Sequence, residues 1–175
     1  VVRFTDGEND KIHYVSIVRD QRAAGVQPQD VTIHFPEPAW IYDVRAGKTL
    51  GHAQTVQTEL LPGDPKIFAL LPYEAKSVAV EPGASKVALG ATATFEITMQ
   101  TGADQPSGLH CVRVELLDPA GKVMKHYSRN LLTRKASVSY SFDPALNDPA
   151  GTWHLRATHV ATGRTVTVPF DVEER

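Results

Sequence analysis

The feature that most limits what this chain can fold into is an alternation of apolar and polar residues, period two, repeated along most of its length. Phe95, Ile97 and Met99 share one parity, while Thr94, Glu96 and Thr98 take the other. Val112, Val114 and Leu116 repeat the pattern, as do Val138, Tyr140 and Phe142. Trp153, Leu155 and Ala157 follow, then Val166, Val168, Phe170 and Val172, and Val31, Ile33 and Phe35 do the same in the first half. Successive side chains of a strand point to opposite faces, so each run predicts a strand with one buried face and one wet face. Turn residues separate the runs about every 8–12 residues, the spacing of a sandwich. No window carries the apolar stripe of an amphipathic helix. The expected fold class is all-β, with two consecutive β-sandwich domains.

The first half is organised around Ala39 to Pro72. Trp40 to Val44 is rich in residues that suit a pleated surface. Arg45-Ala-Gly-Lys48 supplies a hairpin loop in which Gly47 can take positive φ, and Thr49 to Leu61 returns. Leu61-Pro-Gly-Asp-Pro65 breaks the chain, and Lys66 to Leu71 is an apolar run of strand length. Upstream, Val1 to Phe4 is a short strand, and Asp6 to Asp10 a polar turn. Ile12 to Arg19 is apolar on both parities, which predicts a strand covered on both faces. Pro36 and Pro38 are expected to end the strand that holds Phe35.

The domain junction is expected near Tyr73 to Ser77, giving domains over residues 1–74 and 75–175. In the second, Val78 to Val80 and Val87 to Leu89 flank Glu81-Pro-Gly83. Asp118-Pro-Ala-Gly121 fits a type I turn, and Asp148-Pro-Ala-Gly151 repeats it letter for letter. Val123 to Tyr127 is read as a returning strand, and Arg129 to Lys135 is left open.

Two resemblances follow from these residues. "IYDVRAGKTLG" and "LLPGDPKIFALLP" resemble the closing accessory segment of bacterial glycoside hydrolases related to β-galactosidases, and Arg3-Phe4, Asp6-Gly7 and Val18-Arg19-Asp20 fit the same segment. That resemblance covers about the first 75 residues and implies an accessory β-sandwich without catalytic residues. "CVRVELLDPAGKVMKHYSRNL" and "YSFDPALNDPAGTWHLRATHVATGRTVTVPFDV" are similar to immunoglobulin-like or macroglobulin-type sandwich domains. Domains of that kind act mostly as spacers and docking surfaces. The chain starts mid-strand at Val1 to Phe4 without an initiator Met and is read as an excised or mature segment, and the resemblances imply a larger bacterial parent protein, secreted or periplasmic.

Composition sets outer limits. The net charge of −2 gives no basic surface for nucleic acid. No apolar run approaches the roughly 20 residues that span a bilayer. One cysteine, Cys111, excludes an internal disulfide.

Candidate chemistry resolves into ordinary structure at each place. Asp6, Glu8 and Asp10 put carboxylates at alternate positions, as calcium prefers, but without the closing Glu of a calcium loop they read as an exposed turn. None of the seven histidines falls in a zinc motif, so they read as surface residues. His13, His34 and His52 can meet only through tertiary structure, and His154 and His159 face opposite sides of one strand. Cys111 and His110 are neighbours on a strand and cannot act as nucleophile and base. Ser137, Ser139 and Ser141 line a solvated face, and Asp43 and Glu59 are a carboxylate pair with no cleft around them. No catalytic, cofactor-binding or metal-binding residue is assigned, and no cofactor is expected.

Aromatic faces remain. Trp153 alternates in phase with Leu155 and reads as core. Trp40, Tyr42 and Tyr73 are the candidate carbohydrate or interdomain contacts, with Trp40 open to either burial or exposure. The functional expectation is a non-catalytic scaffold or docking region whose partners are other domains of its parent chain. The alternatives are a carbohydrate-binding module, with polysaccharide as partner, and an adhesion or macroglobulin-like assembly component.

Overall fold

The computed structural model describes residues 2–5, 12–20, 22, 27–102, 108–133 and 136–174. The Asp6, Glu8 and Asp10 turn lies outside the described residues. Strands dominate those that are described, and the only helical element among them is one short 3-10 turn, Lys125–Tyr127. The chain divides into two compact units. The first comprises residues 1–75 with 102–108 and 161–163, and the second residues 76–101, 109–160 and 164–175.

The first unit contains β1 (Val2–Thr5), β2 (His13–Ile17), β3 (Gln29–Asp43), β4 (Lys48–Leu60) and β5 (Lys66–Leu71) in one antiparallel sheet of order β1-β2-β5-β3-β4. The β3–β4 hairpin forms at the expected loop. Gly47 has φ +61, and Asp43 Oδ1 accepts the Ala46 N–H at 3.0 Å.

Pro36 and Pro38 do not end the strand. β3 runs through both, and the β3–β4 register shifts between His34 and Ala39. Proline has no N–H to give a ladder. The Gln54 side-chain amide instead donates to the Phe35 and Pro36 carbonyls, at 3.1 and 3.0 Å. The strand bends sharply here. Register puts Phe68 opposite Asp43, eight residues from Phe35, which on a straight strand means about 26 Å. Yet the Phe35 and Phe68 rings meet edge to face with centroids 6.3 Å apart. The far half of the hairpin is therefore folded back over β2 and β5. Val15, Phe35, Ile41, Val56, Phe68 and Leu70 fill the space between these two layers of one bent sheet. The opposite face of β5 is buried as well, through Ala69 and Leu71, as its unbroken apolar run suggests.

The second unit is an immunoglobulin-like sandwich. One sheet holds β6 (Ala75–Pro82), β8 (Ala93–Thr101) and β11 (Ser137–Phe142) in the order β11-β8-β6. The other has the order β10-β9-β12-β13-β7, built from β7 (Lys86–Ala88), β9 (Cys111–Leu117), β10 (Arg129–Leu132), β12 (Gly151–His159) and β13 (Thr165–Glu173). The chain leaves one sheet at Pro82 and joins the other at Lys86, where β7 pairs parallel with β13. Most of the alternating residues named from sequence face inward: Phe95, Ile97 and Met99 from one sheet, and Val112, Val114, Leu116, Trp153, Leu155 and Ala157 from the other are buried, while Val138, Val166 and Val168 are half-buried. Phe95 meets Phe170 across the core at 5.1 Å between ring centroids.

Two local expectations are corrected. Val123 to Tyr127 is not a strand: Val123 makes one bridge to Leu117, and the chain then winds into the 3-10 turn. The repeated Asp-Pro-Ala-Gly is not a repeated turn. Asp118 caps its own turn, its Oδ1 accepting the Ala120 and Lys122 N–H groups at 3.0 and 2.8 Å. Asp148 instead closes the preceding turn, where its N–H reaches the Ala145 carbonyl at 2.9 Å. Its Oδ2 accepts the Tyr127 hydroxyl at 2.6 Å.

Candidate functional site

The three aromatic candidates are placed differently. Tyr42 lies on β3 and is fully buried, and its hydroxyl accepts the Ala75 N–H at 2.9 Å. Tyr73 is buried as well. A ring stacks on a sugar only if one face is open to water, and neither tyrosine offers one. Trp40 is half-buried on β3. Opposite it on β4 stands His52, an exposed ring with its centroid 5.7 Å away and tilted by 60°. Trp40 and His52 are thus the aromatic pair nearest to a binding surface among these candidates. Trp153 is 0% exposed and donates its ring N–H to the Pro149 carbonyl at 2.8 Å.

The other candidate groups do not converge. Asp43 and Glu59 stand at opposite ends of the β3–β4 pair, Asp43 across from Lys48 and Glu59 across from Asp30. Asp30, Val31, Thr32, Gln57, Thr58 and Glu59 line a shallow groove there. His34 pairs with Thr55 rather than with another histidine, its Nδ1 lying 3.3 Å from the hydroxyl. Among the described residues no three His, Cys, Asp or Glu side chains are grouped to hold a metal ion. Ser139 donates to Glu96 at 2.6 Å on the wet face of β11. On the wet face of β9 and β12, Arg156 holds Glu115 through two donors at 3.0 and 2.7 Å.

One pair escaped sequence reasoning. His110 and His159 are buried, not on the surface, and their Nδ1 and Nε2 atoms lie 3.0 Å apart. Burial holds the His159 imidazole down to about 3, with smaller contributions from His110 and Arg164. The signal was present in the alternation. His159 continues the parity of Trp153, Leu155 and Ala157, and His110 that of Val112, Val114 and Leu116. The strand register, with His159 opposite Val112, then brings the two together. Cys111, on the other parity, is half-buried, and burial pushes its thiol up.

No protein-family model matches the sequence, and no curated protein sequence matches it. Several solved structures are similar to it at low identity. A Salmonella α-2-macroglobulin mutant matches 79% of this chain at 17% identity and a TM-score of 0.48. A Ruminococcus gnavus β-glucuronidase matches 97% at 11% identity and 0.32, and a DUF4785 family protein from Legionella pneumophila 98% at 14% and 0.38. The chain spans 11%, 36% and 63% of those three proteins. All three TM-scores lie below 0.5 and carry no argument about activity. Among the described residues no helix is long and apolar enough to cross a membrane.

Proposed function

We propose that this chain is a non-catalytic scaffold or docking region of a larger bacterial, secreted, glycoside-hydrolase-like protein. The observation that carries the reading is where the large aromatic side chains go. Tyr42, Tyr73 and Trp153 are consumed in packing, and the polar atoms of Tyr42 and Trp153 bond to backbone groups. A recognition surface concentrates such residues at its contact instead. The sequence motifs of the two halves point the same way, toward accessory sandwich domains. Domains of 1–74 and 75–175 remain the proposed units of function.

Carbohydrate binding is the second reading, and the half-buried Trp40 beside exposed His52 is the observation that favours it. Its platform would be those two rings, since Tyr42 and Tyr73 are buried.

The scaffold reading is tested first by turnover. The purified chain is expected to leave aryl glycosides, esters and peptides intact. Hydrolysis abolished by a single carboxylate substitution, such as Asp30→Asn or Glu59→Gln in the shallow groove, would overturn it.

A further inference from the structure

Two imidazoles inside the second unit take no part in the proposed function. His110 and His159 are 1% and 0% exposed, and their rings meet edge to face with centroids 4.9 Å apart. A neutral imidazole has one N–H and one lone pair. The 3.0 Å contact between His110 Nδ1 and His159 Nε2 therefore holds when one nitrogen carries hydrogen and the other does not. A further proton can be shared across that contact, but it puts a positive charge on two rings closed off from water, which burial opposes.

The pair sits where three strands end. His110 leads into β9, and its carbonyl accepts the Thr133 N–H at 2.9 Å just beyond β10. The His110 N–H reaches the Thr133 hydroxyl at 3.3 Å. Beyond β12, the Val160 N–H donates to the Cys111 carbonyl at 2.9 Å. The His159 N–H donates to the Arg164 carbonyl at 2.8 Å and closes the β12–β13 turn.

Among the described residues, the titratable and charged groups that act on His159 are His110, from the lead into β9, and Arg164, from the β12–β13 turn. Both oppose a proton on His159, as burial does more strongly. Thr133, from the end of β10, carries no charge. The Cys111 thiol, held up by burial, stays neutral as pH falls.

We propose that the His110–His159 pair is an acid-sensitive latch, which clamps the joined ends of β9, β10 and β12 when neutral and releases them when it takes up a proton. The Trp153 end of β12 lies six residues away, about 20 Å along the strand, and stays closed.

The direction follows from linkage. In the open state His159 titrates near its ordinary value of about 6.5, and in the closed state near about 3. The closed form thus has its full advantage above about pH 6.5 and loses it as pH falls toward the lower value, by about tenfold per pH unit for one proton.

Amide hydrogen exchange on the whole chain, corrected for the intrinsic pH effect, tests this between about pH 7.5 and about pH 4.5. Protection at residues 109–112 and 158–160 should fall by up to about tenfold per pH unit below about pH 6, while residues 153–155 hold. The double variant His110→Asn with His159→Gln keeps amide groups near the two ring nitrogens without a titrating imidazole, and its protection should not change. Flat protection in the natural sequence, or an equal fall in the double variant, would overturn the latch. If that variant does not fold, proton NMR of the natural chain decides. Of seven histidines, His159 should show no titration near about pH 6.5. Seven ordinary titrations would refute the proposal.

Discussion

Trp153 carries its indole N–H into the core and meets the Pro149 carbonyl there, while its ring packs among Phe142, Phe170 and Tyr127. Removing that ring leaves a void between the sheets that its neighbours refill only in part. Trp153→Ala should destabilise the second unit by about 3–5 kcal/mol, read as a shift of its denaturant midpoint with the slope unchanged. A change within about 0.5 kcal/mol, the usual effect of a surface substitution, would mean the ring is not core. Parity made this residue legible in the sequence, because a strand period leaves Trp153 no choice but the face of Leu155. Parity pointed equally to His159. Polarity hid it, since a histidine on an apolar face finds its partner through register, and register is a tertiary fact. Tyr42 depends on a tertiary partner in the same way: its hydroxyl accepts the backbone N–H of Ala75 in the interior.

The bend in β3 decides how the first unit closes at the level of elements. Pro36 and Pro38 read in the sequence as a strand end because proline breaks a ladder. What the sequence does not display is a side chain 18 residues away that accepts the proline's limitation. Gln54 does so, bridging the Phe35 and Pro36 carbonyls opposite the register shift. Gln54→Ala should cost about 0.5–1.5 kcal/mol, and Gln54→Glu, which has no amide donor, should cost at least as much. Equal stability of all three proteins would show that the bend holds by packing of Phe35 on Phe68 alone. Turns were more legible than bends. The Gly47 loop falls where expected, whereas the repeated Asp-Pro-Ala-Gly letters serve two different jobs. Asp118 has free N–H groups of its own turn within reach, and Asp148 has the Tyr127 hydroxyl.

For the whole molecule, the all-β class and the placement of most strands were open to reading, because both rest on local alternation and turn chemistry. The bent single sheet of the first unit was not, since it depends on contacts such as Phe35 with Phe68 that are 33 positions apart in sequence. Function rests on what the surface leaves available once the cores are filled. The central proposal is that Tyr42, Tyr73 and Trp153 serve packing and that the chain acts as a scaffold within a larger protein rather than as a sugar binder. Affinity electrophoresis through gels containing a panel of polysaccharides tests it most directly, run on the intact chain and on Trp40→Ala. The account predicts equal mobility of both proteins in every gel, with and without polysaccharide. Retardation of the intact chain that disappears in Trp40→Ala, at an unchanged melting temperature, would contradict it and assign the Trp40–His52 surface to carbohydrate.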